Sequence, residues 1–170
     1  VATAADASRT YGAANPDFTV TCTGFVNGET AAVLDIAPGA TTTATTASAV
    51  GDYAIVPAGG ADADYDFTYV EATLAVTPAA LLCTADNQIR PYAAPNPELT
   101  VTYTGLANGD IAPATPPAAA CAADATSVPD AYPITLAGGS DPNYALTLVP
   151  GTLTVTKADQ IVDFAALAPK

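Results

Sequence analysis

The sequence predicts an all-β protein built from two tandem small β domains, each with five to seven strands. Short segments alternate between apolar residues and threonine, which is the pattern of strands with one buried face. Fifteen prolines disfavour long helices. The first half of the chain also recurs in the second half. Alternation does not reveal strand order, so immunoglobulin-like and β-grasp-like sandwiches are both compatible with the pattern.

An internal repeat divides the chain. Residues 11–21 match 92–102 at an offset of 81, and the match continues up to Glu29 and Asp110. The offset then falls to 79, so that Tyr53 matches Tyr132. The predicted domains are therefore 1–79 and 80–156, which leaves 157–170 as the start of a third repeat or as an exchange-strand tail.

Three strands are predicted in each copy from alternating residues. Their inward-facing members in the first copy are Phe18, Val20 and Cys22, then Tyr65, Phe67 and Tyr69, then Leu74 and Val76. In the second copy they are Leu99, Val101 and Tyr103, then Tyr144, Leu146 and Leu148, then Leu153 and Val155. The turns are predicted at Asn27-Gly28, Asn108-Gly109 and two Gly-Gly pairs, and a short helical segment fits at 29–34.

Several of the repeated residues resemble a known family. Arg9-Thr10-Tyr11-Gly12, the segment 24–30 and the segment 149–155 are similar to the MBG repeat, YGX type, which occurs in tandem arrays in large bacterial surface adhesins. The resemblance implies an extracellular location, at the cell surface or secreted, in a stalk or an adhesive region. The second copy departs from the pattern, with Ala93 in place of the glycine and Pro129-Asp130 in place of Val50-Gly51.

Composition excludes several classes of function. The chain has 4 basic and 17 acidic residues, no histidine and a net charge of −13. Nucleic-acid binding needs clustered cations, and anionic membrane surfaces would repel this chain. No apolar run reaches the ~18 residues of a membrane span, so membrane insertion is not expected. Without histidine the usual general base is missing, and we expect no catalysis and no catalytic residues.

A cluster of acidic residues in the first copy suggests a metal site. Asp62, Asp64 and Asp66 have the spacing of a calcium loop and, with Glu71, form a weak calcium candidate. The glycine and distal glutamate of an EF-hand are missing. The alternative is a solvated acidic face on the outward side of a strand. No other cofactor is expected.

Two arginines occupy equivalent positions in a chain with very few cations. Arg9 precedes Asp17, and Arg90 precedes Glu98, by eight residues in both cases. This recurrence predicts a structural ion pair or an arginine clamp on backbone carbonyls. An arginine that contacts an acidic sugar is the alternative, which the surrounding negative charge disfavours.

The cysteines, tyrosines and tail supply the remaining candidates. An extracellular setting permits a Cys83–Cys121 disulfide, with Cys22 buried and free. Recurring tyrosine pairs fit core or corner positions, or a face that stacks on sugars. Tail residues that could add a strand to a neighbouring subunit are Ile161, Val162 and Phe164.

Taken together, these features predict a non-catalytic structural repeat of a bacterial surface protein. It would act as a stalk or spacer, or as a self-assembling fibre subunit whose partners are neighbouring repeats or identical subunits. The alternative is an adhesive module that binds a glycan or a host protein.

Overall fold

The computed structural model describes residues 1–160 and confirms the all-β class. These residues group into two compact units. Unit 1 comprises Val1–Leu81, Gly105–Thr115 and Ser140–Leu146, and unit 2 comprises Leu82–Thr104, Pro116–Gly139 and, of the described residues, 147–160. Within residues 1–160, no helix is long and apolar enough to cross a membrane.

Seven strands form in the first copy. They are β1 (Ala2–Ala4), β2 (Ala7–Thr10), β3 (Val20–Cys22), β4 (Gly39–Thr41), β5 (Gly51–Ala58), β6 (Tyr69–Val70) and β7 (Ala72–Thr77). One sheet has the order β3-β1-β6 and the other has the order β2-β7-β5-β4. The pairs β1–β6 and β2–β7 are parallel, whereas β3, β4 and β5 pair antiparallel with their neighbours.

The core of this copy lies between its two sheets. Ala4 on β1 packs with Ile55 on β5 and Leu74 on β7, and Ala44 completes the cluster. Ile55 and Leu74 are fully buried, as strand alternation requires of residues on the inner face. The predicted inward position of Leu74 is therefore confirmed, and the two sheets form a sandwich.

The second copy also has seven strands. They are β8 (Ala79–Ala85), β9 (Gln88–Pro91), β10 (Val101–Thr104), β11 (Ala118–Cys121), β12 (Ala131–Ala137), β13 (Tyr144–Val149) and β14 (Gly151–Thr156). The sheet orders are β10-β8-β13 and β11-β12-β14-β9, with β9 parallel to β14. The core residues Ala85, Ala123, Ile134 and Leu153 stand at the positions equivalent to those of the first core.

The predicted Asn-Gly turns are confirmed, whereas the two Gly-Gly pairs lie in irregular segments that directly follow β5 and β12. Asn27 and Gly28 have φ of 55° and 76°, and Asn108 and Gly109 have φ of 54° and 85°. These left-handed angles are the reason that Asn-Gly pairs suit such turns. The predicted helical segment at 29–34 contains one turn of 3₁₀ helix, Ala31–Val33, capped by the Thr30 side chain.

One predicted strand is shorter than expected in the first copy. Tyr144 to Leu148 lie in β13, but in the first copy only Tyr69 of the equivalent region is in a strand, β6. The neighbouring strand explains the difference, because β6 pairs with the three-residue β1, whereas β13 neighbours the seven-residue β8. Side-chain hydrogen bonds hold the preceding segment instead, where the Asp62 carboxylate accepts from the Asp64 N–H at 2.9 Å.

Candidate interaction site

Tyr11 stands at a corner where the chain leaves β2. Its N–H donates to the Thr77 carbonyl at 2.8 Å, which extends the β2–β7 ladder by one residue. The backbone then turns through Gly12, whose φ of 80° favours glycine. The Ala13 N–H closes the turn on the Thr10 carbonyl at 3.1 Å. The tyrosine side chain is therefore held on a rigid backbone.

An aromatic cluster of Tyr11, Tyr144 and Asp110 forms within unit 1. The two rings meet edge to face, with centroids 5.4 Å apart and planes at 84°. Both hydroxyls donate to Oδ2 of Asp110, at 3.3 Å from Tyr11 and 2.7 Å from Tyr144. The Tyr144 hydroxyl also accepts from the Ala107 N–H at 2.8 Å. Tyr11 and Tyr144 are 8% and 4% exposed, so both rings are buried, whereas Asp110 is exposed.

Neighbouring backbone groups frame this cluster inside the same unit. The Asn108 side-chain amide donates to the Thr46 carbonyl at 3.1 Å. The Val50 N–H donates to Asn143 Oδ1 at 3.0 Å. A Cβ on Gly12 would overlap the Cβ of Ala107, so the close approach itself requires glycine at this position.

The environment of the cluster strongly raises the pKa of one tyrosine hydroxyl. Burial, reinforced by the hydrogen bond to Asp110, raises the pKa of Tyr144 to about 12. Tyr65 occupies the equivalent position in the first copy, and its hydroxyl donates to Glu29. That bond raises the pKa of Tyr65 as well.

The two arginines form matching clamps. Arg9 Nε donates to Asn15 Oδ1 at 2.7 Å, and its other nitrogens donate to the carbonyls of Thr10 and Thr45. Arg90 makes the equivalent bonds to Asn96, Pro91 and Asp124. Both guanidinium groups are buried, with 7% and 3% of the residue exposed.

Neither Asp17 nor Glu98 is the partner of these clamps. Both carboxylates are exposed, and within residues 1–160 the guanidinium hydrogen bonds go to amide and backbone oxygens. The geometry therefore corresponds to the carbonyl-clamp alternative, with the two asparagines as additional partners. Sequence reasoning missed Asn15 and Asn96, although both recur six residues after the arginine.

The acidic residues of the first copy do not converge. Asp62 accepts backbone N–H groups of Asp35 and Asp64, at 3.2 and 2.9 Å, and so acts as a local turn former. Among residues 1–160, no three His, Cys, Asp or Glu side chains are grouped so that they could hold a metal ion. Asp64, Asp66 and Glu71 are exposed. The structure therefore does not bring the four calcium candidates together.

The predicted disulfide is absent and the prediction is corrected. All three cysteines are free thiols. Cys83 is buried on β8, where it pairs across the sheet with Tyr103, whereas Cys121 lies on β11 in a different sheet. Burial raises the pKa of the Cys83 thiol, which disfavours the reactive thiolate. Cys22 is half-buried rather than fully buried.

The tail candidates Ile161, Val162 and Phe164 lie outside the described residues.

A pocket in unit 1 has a volume of about 60 Å³, against roughly 300–1,000 Å³ for typical small-molecule sites. It is lined by, among others, Cys22, Phe25, Leu34, Tyr65 and Phe67. This pocket is too small to enclose a sugar ring.

Comparison with protein families identifies the repeat. The model of the MBG domain (YGX type) matches residues 1–75 and 81–154, and the chain belongs to this family as two tandem copies. The chain is thus a repeat module of a kind that belongs to surface proteins. Searches of curated proteins and of solved structures gave no match. Tyr11-Gly12, the first two letters of the family's motif, is the corner described above.

Proposed function

We propose that the chain is a non-catalytic, extracellular structural repeat that carries tension in a bacterial surface protein, as a stalk or spacer segment or as a subunit of a fibre. The observation that carries this proposal is the parallel pairing of the early and late strands of each copy. In the first copy β2 pairs with β7 over Ala7–Thr10, and in the second β9 pairs with β14 over Gln88–Pro91.

Parallel pairing suits a chain that is pulled from its two ends. Tension on such a copy pulls its early strand toward one end and its late strand toward the other. In a parallel pair these forces lie along the strands, so all of the interstrand hydrogen bonds are loaded at once. In an antiparallel hairpin pulled at its open end, the same bonds break one after another.

The arginine clamps reinforce the strands that would bear this load. Arg9 lies on β2 opposite Val76 of β7, and it ties β2 to the Thr45 carbonyl in the loop between β4 and β5. Arg90 ties β9 to the Asp124 carbonyl in the same way. Hydrogen bonds from a buried charged group contribute about 1.5–3 kcal/mol each, so these clamps oppose sliding of the strand.

The test is single-molecule stretching in two geometries. Pulled by its ends, a variant with all three cysteines replaced by serine should unfold in two abrupt events. Release of 7–77 lengthens the chain by roughly 24 nm at about 3.5 Å per residue. The matched control is pulled through cysteines introduced at Gly39 and Ala58, which pair across the antiparallel β4–β5 ladder. The control should open at clearly lower force, and equal forces in both geometries would contradict the proposal.

A second candidate, adhesion to a glycan, rests on one stacked aromatic pair, of which Tyr69 is exposed and Phe67 is half-buried. Phe67 and Tyr69 stack with centroids 6.0 Å apart and planes at 11°, and Tyr69 is 38% exposed. Flat aromatic faces of this kind can stack on sugar rings. Saturable binding on a glycan panel, lost on Tyr69→Ala but kept on Tyr92→Ala, would favour adhesion over a purely structural role.

A further inference from the structure

The second copy carries a corner built like the Tyr11 corner but left uncovered. The Tyr92 N–H donates to the Thr156 carbonyl at 2.8 Å, as Tyr11 does to Thr77. Ala93 follows with φ of 67°, close to the 80° of Gly12. Tyr92 is nevertheless 42% exposed, whereas Tyr11 is 8% exposed. We call Tyr92 and Ala93, together with Ala125 and Pro129, which are equivalent to Thr46 and Val50 of the first copy, the Tyr92 corner.

The first copy carries the surface that such a corner would need. Asp110 and Tyr144 contact Tyr11, while Ala107 and Asn108 lie against the neighbouring Gly12 and Thr46. The equivalents of these four residues in the first copy are Val26, Asn27, Glu29 and Tyr65. These four, the Tyr65 face, keep the same internal bonds. The Val26 N–H donates to the Tyr65 hydroxyl at 3.2 Å, and that hydroxyl donates to Glu29. Val26 is 59% exposed, and Asn27 and Glu29 are exposed as well.

We propose that the Tyr92 corner of one molecule binds the Tyr65 face of a second copy of this chain. Tyr92 would pack edge to face on Tyr65 and donate to Glu29, repeating the aromatic cluster of unit 1. The Asn27 amide would reach the Ala125 carbonyl, as Asn108 reaches Thr46. Because the two surfaces differ, each molecule keeps one of each free, and the contact propagates into chains. This inference does not depend on a tension-bearing role.

Three residues of the proposed contact differ from their equivalents at the covered Tyr11 corner, and each difference lowers the affinity. Ala93 adds a methyl group where Gly12 has none, at the point where a Cβ on Gly12 would meet Ala107. Val26 is bulkier than Ala107. Pro129 has no N–H to replace the one that Val50 donates to Asn143. Each chain also carries a net charge of −13, so two copies repel one another at low salt. The contact is therefore weak in the natural chain, because the added bulk of Ala93 and Val26 lowers its affinity.

The experiment is sedimentation equilibrium of the full chain in about 0.5 M salt, where surface charges are largely screened. Ala93→Gly, Val26→Ala and the double variant restore the residues of the covered corner, and Ala114→Gly is the control for adding a glycine elsewhere. The double variant should associate at least about tenfold more tightly than the natural chain, each single variant less so, and Ala114→Gly should match the natural chain. Lowering the salt should weaken the association.

Replacing the contact side chains tests whether the association uses the Tyr92 corner and the Tyr65 face. Adding Tyr92→Ala to the double variant should return it to the behaviour of the natural chain, and so should adding Glu29→Gln, although to a smaller extent. Both side chains are exposed, so the fold tolerates these changes, which circular dichroism verifies. A double variant that sediments like the natural chain would overturn the proposal, as would association that survives Tyr92→Ala.

Discussion

The Tyr144 hydroxyl donates a 2.7 Å hydrogen bond to Asp110 within unit 1, and the equivalent hydroxyl of Tyr65 donates to Glu29. The two copies therefore build the same pair, in which a tyrosine binds the carboxylate that directly follows the Asn-Gly turn. The Tyr144–Asp110 pair is covered by Tyr11, and the rings of Tyr11 and Tyr144 are nearly dry. The tyrosine of this pair is thus buried in the second copy and half-buried in the first.

Burial of Tyr144 predicts a loss of stability at alkaline pH. Its pKa is raised to about 12 in the folded chain, above its ordinary value of 10.0. The folded state therefore holds the phenolic proton more tightly, and this contribution is complete below pH ~10 and lost as the pH rises toward ~12. Urea unfolding midpoints of the natural chain should fall over that window more steeply than those of Tyr144→Phe. Parallel pH profiles for the two proteins would contradict this assignment.

The Arg9 clamp predicts that lysine cannot replace arginine. Lysine has a point charge on a flexible stem and cannot serve Asn15 and the Thr45 carbonyl together. Leaving these buried acceptors unpaired should cost about 3 kcal/mol in the free energy of unfolding. Arg90→Lys should have a similar cost in the second copy. Chemical denaturation measures both, and Lys157→Arg, on an exposed residue, should change stability by less than about 0.5 kcal/mol.

Much of the fold could be predicted because it depends on local patterns and on the repeat. Alternation placed Leu74 and Leu153 on inner faces, and both are fully buried. The shared core positions follow from one fold being encoded twice. Strand order and parallel pairing were not accessible, because period-two alternation carries no information about a strand's neighbour.

The candidate site was harder to predict because its partners are distant or are backbone atoms. Tyr11 and Asp110 are 99 residues apart, and no local pattern links them. The Thr45 carbonyl that binds Arg9 has no sequence signature, since every residue carries one. The disulfide prediction failed for a related reason. Redox setting and cysteine count do not fix the distance between two sulfurs, which strict disulfide geometry requires.

The hydrogen bonds of Asp86 predict that the second copy loses stability at acid pH. Its carboxylate accepts hydrogen bonds from the hydroxyls of Thr100 and Thr102 at 2.6 and 2.7 Å, and these bonds lower its pKa below its ordinary value of 3.8. A lowered pKa contributes stability that is present above pH ~3.8 and lost as the pH falls below it. Asp86→Asn should flatten the acid limb of the stability profile. The equivalent residue of the first copy is Ala5, so Ala5→Asn is the control and should leave that limb unchanged.

The close contact between Gly12 and Ala107 predicts that Gly12→Ala destabilises the chain for a steric reason as well as a backbone one. Gly12→Ala adds two costs: about 1–2 kcal/mol for a left-handed alanine, and about 1–3 kcal/mol for forcing its Cβ against Ala107. Gly28 isolates the first cost, because its φ is 76° and no atom lies within 4 Å of a Cβ built there. Gly12→Ala should therefore destabilise the chain by about 1–3 kcal/mol more than Gly28→Ala in matched urea titrations. It should also expose Tyr11, raising the solvent quenching of tyrosine fluorescence, which Gly28→Ala should leave unchanged. Equal losses of stability in the two variants would mean that Ala107 moves aside without a cost in free energy. Glycine would then be required at position 12 only for its positive φ.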